Sequence, residues 1–259
     1  MSDAPAAPPS FLETPDGRRI AYRKLDAKTQ QADAPGVVFL SGYRSDMTGT
    51  KATFLEDWAR ARGRAFLRFD YTGHGASSGD FETLAIGDWA QDAEDALLAL
   101  TAGPQILVGS SMGGWIALIL AKRRPERLAG LVGVAAAPDF TEDLMWGRFS
   151  ADERNRLERE GRLEQPNDYD EEPYVITRRL IEDGRAHLVL LDPLRIDRPV
   201  RLLQGSADRD VPQTVALRLL AHLEGPDVRL TIVKDADHRM SEPAELELLA
   251  HTLDALPAD

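Results

Sequence analysis

A chain of 259 residues with 43% hydrophobic residues is long enough for one α/β domain with a large buried core and an inserted cap. The formal net charge of -12 repels phosphate backbones and anionic lipid surfaces, which argues against nucleic acid or a membrane surface as a partner. The absence of cysteine excludes disulfides, thiolate metal sites and a cysteine nucleophile.

The N-terminal residues are rich in alanine and proline and predict a disordered arm over residues 1–10. They lack the basic region and apolar core of a secretory signal, and they contain no arginine of the kind that a mitochondrial transit peptide carries. No apolar stretch in the chain is long enough to cross a bilayer. We therefore expect a cytoplasmic protein without a membrane span.

Strands and helices alternate along most of the chain. Residues 11–25 contain a turn sequence from Thr14 to Gly17 between two β-like runs, which predicts an antiparallel hairpin. Apolar runs then alternate with segments of helical periodicity, and this order predicts an α/β fold with a mostly parallel sheet and helices on both faces. The predicted strands cover residues 37–40, 65–69, 106–108, 128–137, 199–203 and 228–233, and the predicted helices include residues 50–62, 86–100 and 243–256.

One segment breaks this alternation. Residues 139–192 are rich in charge, contain no run typical of a strand, and carry separated apolar groups. We interpret them as a helical cap inserted into a core formed by residues 11–138 and 193–259, because the insertion leaves the sheet at the end where open α/β sheets bind ligands. The alternative is a surface excursion whose apolar side packs on the core.

The segment from Gly109 to Gly113 has the pattern G-x-S-x-G, with Ser111 at its centre. It directly follows the predicted strand at 106–108 and precedes an apolar helical run at 115–120. This context predicts a tight strand-to-helix turn that exposes the serine hydroxyl, where a helix N-terminus favours developing negative charge. Ser111 is therefore the predicted nucleophile; the alternative is a serine that only shapes the turn.

A serine hydroxyl needs a base, and the base needs a carboxylate that orients it. In hydrolases with this turn the chain order is nucleophile, acid, base, each after a strand. The acid is predicted at Asp208, in the loop after the strand at 199–203. Asp210 in the same loop and Asp139 after an earlier strand are the competing positions, and any of the three could be an ordinary loop aspartate.

The base is predicted at His238, which follows the last strand and is the one histidine in the required order at a strand end. A loop histidine that is merely solvated is the alternative. Two of the other histidines, His222 and His251, fall inside predicted helices, and His187 falls inside the cap. His74 lies in a glycine-flanked loop, from which it could contact substrate, but it precedes the serine.

Two backbone N–H groups are expected to bind the oxygen that becomes negative in the tetrahedral intermediate. One belongs to Met112, the residue after the nucleophile, and the other to Tyr43, in the loop after the strand at 37–40. Gly42 lets this loop fold closely, although a glycine there is also compatible with a simple turn. The sequence shows no motif for a metal and no glycine-rich phosphate loop, so we predict neither metal nor cofactor.

Four residues are candidate substrate contacts. Met145, Trp146 and Phe149 lie close together in the predicted cap and suit an apolar acyl pocket, although they could equally anchor the cap to the core. Arg44 follows the predicted oxyanion residue and could attract a carboxylate on the leaving group, as a glucuronide carries. A solvated arginine is the alternative.

Several motifs make the chain resemble an α/β-hydrolase, and the likeness covers nearly all of it after the N-terminal arm. The most specific part runs from Gly103 to Trp115, and the others are 41–43, 69–73, 201–203 and 237–240. More narrowly, the chain is similar to the branch represented by abhydrolase domain-containing protein ten, a mitochondrial enzyme. That resemblance implies removal of S-palmitoyl groups from proteins and hydrolysis of acyl glucuronides, and by motif Ser111, Asp208 and His238 match the triad of that branch.

Together these features predict a serine hydrolase of carboxylic esters or thioesters that forms an acyl-enzyme. Its expected partner is a small acyl ester or an acylated protein, and it is expected to be a monomer or a homodimer. A carbon–carbon bond hydrolase or a cofactor-free haloperoxidase of the same fold is the alternative within this class. A ligand-binding protein without catalysis is the alternative outside it, because the fold alone does not imply an activity.

Overall fold

In the computed structural model, which describes residues 8–29, 34–165 and 173–256, eight of the twelve strands in these residues form one large, mostly parallel sheet. Two pairs of neighbouring strands, at the N-terminal edge, are antiparallel, and the remaining pairs are parallel. The predicted α/β architecture is confirmed. In chain order the strands are β1 (Ser10–Glu13), β2 (Arg19–Leu25), β3 (Gly36–Leu40), β4 (Phe66–Phe69), β5 (Gln105–Ser110), β6 (Leu128–Val134), β7 (Arg162–Gln165), β8 (Tyr174–Thr177), β9 (Leu194–Arg195), β10 (Val200–Gly205), β11 (Leu223–Glu224) and β12 (Val228–Val233).

The large sheet has the spatial order β1-β2-β4-β3-β5-β6-β10-β12. Its inner strands β3, β5 and β6 are buried along their whole length because helices cover both faces. Within β3, Val38 and Leu40 contribute to the core on one face, whereas Val37 and Phe39 contribute to the core on the other. The helices are α1 (Thr50–Arg62), α2 (Ile86–Leu100), α3 (Met112–Arg123), α4 (Ala151–Glu160), α5 (Arg178–Arg185), α6 (Gln213–His222) and α7 (Pro243–Asp254).

The two helical layers follow from which side chains the helices bury. Trp89 of α2 and Trp115 of α3 are fully buried in the core on one face of the sheet. Leu55 of α1 and Leu253 of α7 are buried in the core on the opposite face. None of the helices in the described part of the chain combines the length and apolar character that a membrane span requires.

The predicted N-terminal hairpin is confirmed. β1 and β2 pair in antiparallel register, with Ser10 opposite Tyr22, and the Thr14 N–H donates to the Arg18 carbonyl at 2.9 Å across the turn. Ser10 therefore belongs to a strand and not to the predicted arm over residues 1–10, because its backbone pairs with the second strand. Residues 1–7 of that arm lie outside the described residues.

The segment 139–192, here called the cap segment, contains α4 and α5 and also a feature that the sequence did not predict. β7 and β8 form an antiparallel pair in which Leu163 lies opposite Ile176. The expectation that this segment lacks strands is therefore wrong, because two short runs pair with each other and leave little periodic signal in the sequence. The division of the chain into a core and a cap domain at these boundaries stays a prediction.

A buried carboxylate joins the two ends of the cap segment. Asp139, just after β6, accepts the N–H groups of Val189 and Leu190 at 2.8 and 2.9 Å. Burial raises the pKa of Asp139, although these two backbone donors oppose the shift. The first residue of the cap segment is thus hydrogen-bonded to the backbone near the end of that segment.

A strained turn connects β5 to α3. Ser111 has φ 53° and ψ -118°, a backbone conformation that residues other than glycine rarely adopt. Its N–H donates to the Val134 carbonyl at 2.9 Å, and its carbonyl accepts the Ala137 N–H at 3.1 Å, so β6 and the loop after it hold the turn. A side chain at Gly113 would put its Cβ 2.0 Å from the Leu40 carbonyl oxygen, so the start of α3 lies directly against the end of β3.

Gly113→Ala is expected to lower the free energy of unfolding by about 3 kcal/mol, because the added methyl overlaps backbone that cannot move aside. Gly49→Ala is the matched control, since its Cβ would make only ordinary contacts of 3.5 Å or more and its φ is -58°. Denaturation in urea, followed by circular dichroism, measures both. Equal stability of the two variants would contradict the close backbone approach at position 113.

Candidate active site

Three side chains predicted from separate parts of the sequence meet at one end of the sheet. Ser111 follows β5, Asp208 follows β10, and His238 follows β12, so all three lie at the carboxyl ends of parallel strands. The Ser111 Oγ lies 3.1 Å from the His238 Nε2, and the His238 Nδ1 lies 2.9 Å from the Asp208 Oδ2. The structure therefore brings serine, imidazole and carboxylate into one hydrogen-bonded chain.

The carboxylate of Asp208 is completely buried and held by four donors. Its Oδ1 accepts the N–H groups of Asp210 and Val211 at 3.0 and 2.8 Å. Its Oδ2 accepts the Gln204 Nε2–H at 2.9 Å as well as the contact from His238. Because these donors compensate the burial of the charge, the carboxylate is fixed in orientation towards the imidazole.

The donor set around Asp208 also fixes the tautomer of His238. A carboxylate only accepts hydrogen bonds, so the Nδ1 of His238 donates to Asp208 and the Nε2 is left to accept the Ser111 hydroxyl proton. The side chain of His238 is about one-fifth exposed, whereas the side chain of Asp208 is 0% exposed. Ser111 and His238 are thus accessible to a substrate, while Asp208 is shielded from water.

The two residues predicted as oxyanion donors, Met112 and Tyr43, both lie beside Ser111. Met112 is the first residue of α3, so its N–H has no acceptor within the helix. Tyr43 follows Gly42. A Cβ added at Gly42 would lie 3.5 Å from both the Ser110 carbonyl oxygen and the Ser111 Cβ. The loop that carries Tyr43 therefore lies directly beside the serine.

An aromatic cluster anchors the Tyr43 loop. The Tyr43 ring makes edge-on contacts with Phe81, Trp89 and Phe140, at centroid distances of 5.0, 5.9 and 5.8 Å. It also lies 6.4 Å from the Tyr174 ring in β8. These rings come from both the core and the cap segment, so the position of the Tyr43 backbone depends on packing between the two.

The competing acids have different surroundings. Asp139 is used by the backbone at residues 189 and 190, as described above, and does not contact His238 in the described structure. Asp210 lines the pocket, but its own N–H donates to Asp208. Of the three aspartates considered, Asp208 is the one whose carboxylate is bonded to the imidazole.

His74 lies away from the substrate space, contrary to the expectation that it could contact substrate. It is 4% exposed, its Nδ1 lies 3.2 Å from the Thr72 carbonyl, and its ring packs against Tyr71, Phe81 and Trp89. Burial lowers the pKa of His74 to about 4, so the imidazole is neutral at physiological pH. This histidine is a packing residue.

A pocket of about 530 Å³ opens over Ser111 and His238. Its lining combines apolar residues of the core and of the cap segment, here called the apolar wall, with basic and acidic residues, here called the charged rim. The apolar wall consists of Phe39, Ala137, Phe140, Leu144, Met145, Tyr174, Ile176 and Val211, and the charged rim of Arg44, Asp46, Lys51, Arg148, Asp210 and Arg239. Such a site suits a substrate with an apolar part and a polar part.

Two of the four predicted substrate contacts line this pocket and two do not. Met145 and Arg44 are among its walls. The Trp146 ring instead packs against the guanidinium groups of Arg154 and Arg185, at 5.2 and 4.6 Å, and Phe149 is buried in the hydrophobic core. Neither aromatic residue lines this pocket, and their contact with substrate stays a prediction.

Sequence reasoning missed several pocket residues. Tyr174 and Ile176 alternate along β8 and line the pocket together, a period-two signal that was hidden because no strand was expected there. Phe140 directly follows Asp139 in the segment after β6, a position from which a pocket residue could have been predicted. Lys51 gave no local signal, since a lysine in the first turn of a helix is usually solvated.

Comparison with known proteins places these features in context. A model of the alpha/beta hydrolase family matches residues 37–248. The palmitoyl-protein thioesterase ABHD10, mitochondrial, of Bos taurus is 38% identical over 248 residues, covering 95% of this chain and 79% of that protein. Two solved structures are also similar. A putative hydrolase from Agrobacterium vitis is 40% identical with a TM-score of 0.90, covering 96% and 99% of the two chains. Alpha/beta hydrolase domain-containing protein 10 from mouse is 36% identical with a TM-score of 0.87, covering 96% and 97%.

These comparisons correct one prediction. The cytoplasmic location expected from the N-terminal composition is contradicted, since five relatives that carry the ABHD10 name are all named mitochondrial. The first residues do not carry the arginines that such an address usually shows, and composition alone therefore gave the wrong answer.

Asp208→Asn is expected to lower kcat on the order of 10⁴-fold, because an amide in place of the carboxylate favours the wrong imidazole tautomer. Asp210→Asn, two residues away in the same loop, should stay within about threefold of the wild type. Steady-state hydrolysis of an uncharged p-nitrophenyl ester measures both. The reverse order of the two losses would show that the acid has been assigned to the wrong aspartate.

Proposed function

The chain belongs to the alpha/beta hydrolase family and is a hydrolase of ester or thioester bonds, and we propose that Ser111 is its nucleophile, His238 its general base and Asp208 the acid that orients the base. The observation that carries this proposal is the hydrogen-bonded chain from the Ser111 Oγ through the imidazole to the buried carboxylate. A serine activated in this way attacks acyl groups at neutral pH.

In the acylation step, the Nε2 of His238 takes the proton of the Ser111 hydroxyl while the Oγ attacks the substrate carbonyl carbon. The carbonyl oxygen gains the negative charge and is bound by the N–H groups of Tyr43 and Met112. Collapse of this intermediate breaks the bond to the leaving alcohol or thiol, which receives the proton from His238. The acyl group is then esterified to Ser111.

In the deacylation step, His238 takes a proton from a water molecule, whose oxygen attacks the ester carbon. The second tetrahedral intermediate uses the same two backbone donors. When it collapses, the Ser111 Oγ leaves and regains the proton from His238, and the carboxylic acid is released. Ester and thioester substrates share this route and differ only in the leaving atom.

We further propose that the acyl chain lies along the apolar wall and that the leaving group lies beside Arg44. Met145, Leu144 and Ile176 supply adaptable apolar contact at that wall. The relatives named palmitoyl-protein thioesterases act on acylated proteins according to that name, which supports an acylated protein or a small acyl ester as the substrate here.

Ser111→Ala is expected to abolish turnover and to leave the fold intact, because it removes one oxygen from a partly exposed turn. His238→Ala should cost as much, since nucleophile and base act as a unit. A fluorophosphonate probe should label the wild type and neither variant, whereas a protein that only binds ligands would show no labelling at all. Activity of the serine variant above about a thousandth of the wild type would contradict the mechanism.

A second experiment tests the role proposed for Arg44. Its guanidinium lies 4.9 Å from the Phe81 ring centroid and 5.2 Å from that of Tyr174, and its side chain lines the pocket. We propose that this charge attracts a carboxylate on the leaving group. Arg44→Ala should then lower kcat/KM for an acyl glucuronide about ten- to a hundredfold more than for an uncharged ester of the same acid. Equal losses on both substrates would mean that the cation–π packing is its whole contribution.

A further inference from the structure

Lys51 is a basic residue that points into the proposed site without belonging to the triad. It lies in the first turn of α1 and lines the pocket together with Ser111 and His238. Its Nζ donates to the Arg239 carbonyl oxygen and lies 3.2 Å from the Ser241 Oγ. The ammonium is therefore directed at the backbone immediately after His238.

The loop from β12 to α7 that carries His238 is strained. Asp235 and Met240 have φ values of 61° and 46°, in the left-handed region that residues other than glycine rarely adopt. Such a conformation persists only where surrounding contacts hold it. The loop must therefore be fixed on both sides of His238 if the imidazole is to stay aligned.

The two sides of His238 are held by different contacts. Before it, the Asp235 N–H donates to the Ser206 Oγ at 2.8 Å, and the Ala236 carbonyl accepts the Ala207 N–H at 3.0 Å, which attaches this side to the loop after β10. After it, the Arg239 carbonyl accepts a charge-assisted hydrogen bond from Lys51 and a hydrogen bond from the Ser241 hydroxyl at 2.9 Å. Of these two donors, Lys51 is the one that connects this side of the loop to α1.

The hydrogen bond from Lys51 to the Arg239 carbonyl is not expected to add to the free energy of unfolding. Burial lowers the pKa of Lys51 to about 8, the nearby carboxylates of Asp237 and Glu245 act against that shift, and Arg239 adds to it. The folded state disfavours the charged form of Lys51. This half-buried side chain therefore stabilises the fold less than an apolar side chain at the same position would. Removal of the charge should therefore leave the melting temperature unchanged or raise it.

We propose that Lys51 is a positioning residue for the hydrolytic reaction: by holding the Arg239 carbonyl, its ammonium keeps the His238 imidazole aligned between Ser111 and Asp208. The inference rests on the proposed role of His238 as the base. Lys51 touches neither the scissile bond nor the imidazole in this role, so its effect belongs to kcat and not to substrate binding.

The test compares Lys51→Met, which keeps the hydrocarbon stem, with Lys51→Arg, which keeps a cationic donor. For hydrolysis of p-nitrophenyl butyrate, Lys51→Met should lower kcat about ten- to a hundredfold, because displacement of a catalytic group by about 1 Å costs on this order. KM should stay within about twofold, Tm should not fall by more than about 3 °C, and Lys51→Arg should recover a large part of kcat. Lys122→Met, at the exposed end of α3, is the matched control and should behave as the wild type.

Several outcomes would overturn the inference. A wild-type kcat in Lys51→Met would remove the positioning role, and a raised KM at unchanged kcat would make Lys51 a substrate contact. A loss of kcat that follows a large loss of Tm would make it a structural residue. Ser111→Ala and the rate of fluorophosphonate labelling are measured in parallel. If Ser111→Ala retains turnover, the proposed mechanism fails together with this role; if Ser111→Ala is inactive and Lys51→Met is not impaired, only the inference about Lys51 fails.

Discussion

The approach of two backbones, without a side chain between them, is the constraint on which the site depends. Because Gly113 carries no side chain, the N-terminus of α3 lies directly against the Leu40 carbonyl at the end of β3. The start of α3, which carries Met112, and the loop after β3, which carries Tyr43, therefore both lie beside Ser111. The strained φ of Ser111 follows from this approach, since the chain must turn from strand to helix within one residue.

The order of the strands explains why the third member of the triad needs a long loop. β5, which precedes Ser111, is separated from β12, which precedes His238, by β6 and β10. Strands in a sheet lie about 4.8 Å apart, so the loop after β12 has to bridge on the order of 14 Å. Asp208 follows β10, which lies between β5 and β12 in the sheet. Its carboxylate is therefore placed to contact the imidazole that reaches towards Ser111. The helices α1 and α7 share one face of the sheet, and this brings Lys51 within reach of the same loop.

Much of the fold and the triad could be predicted from the sequence, because their signals are local. The bounds of α1, α2 and β12 follow from apolar periodicity and from Gly63, which ends α1 in a left-handed conformation. The cap segment is harder to predict, because β7 and β8 pair only with each other. Its aromatic residues line the pocket or pack elsewhere according to partners that are distant in the sequence. Trp146 packs against two arginines of the cap segment, and Tyr174 packs against Tyr43. Neither contact can be predicted from the residues next to Trp146 or Tyr174 in the sequence.

The hydrogen bonds of Asp139 make the cap segment a closed excursion. Since the chain leaves and rejoins the body of the protein at one carboxylate, β6 and β10 keep their places in the sheet whatever lies between these two points. Changes within the segment can therefore leave the strands that carry Ser111, Asp208 and His238 in register. Changes at Phe140 or Tyr174 are different, because these two rings pack against Tyr43 in the loop beside Ser111. New acyl preferences can thus arise in the excursion, provided that its contact with this one loop is kept.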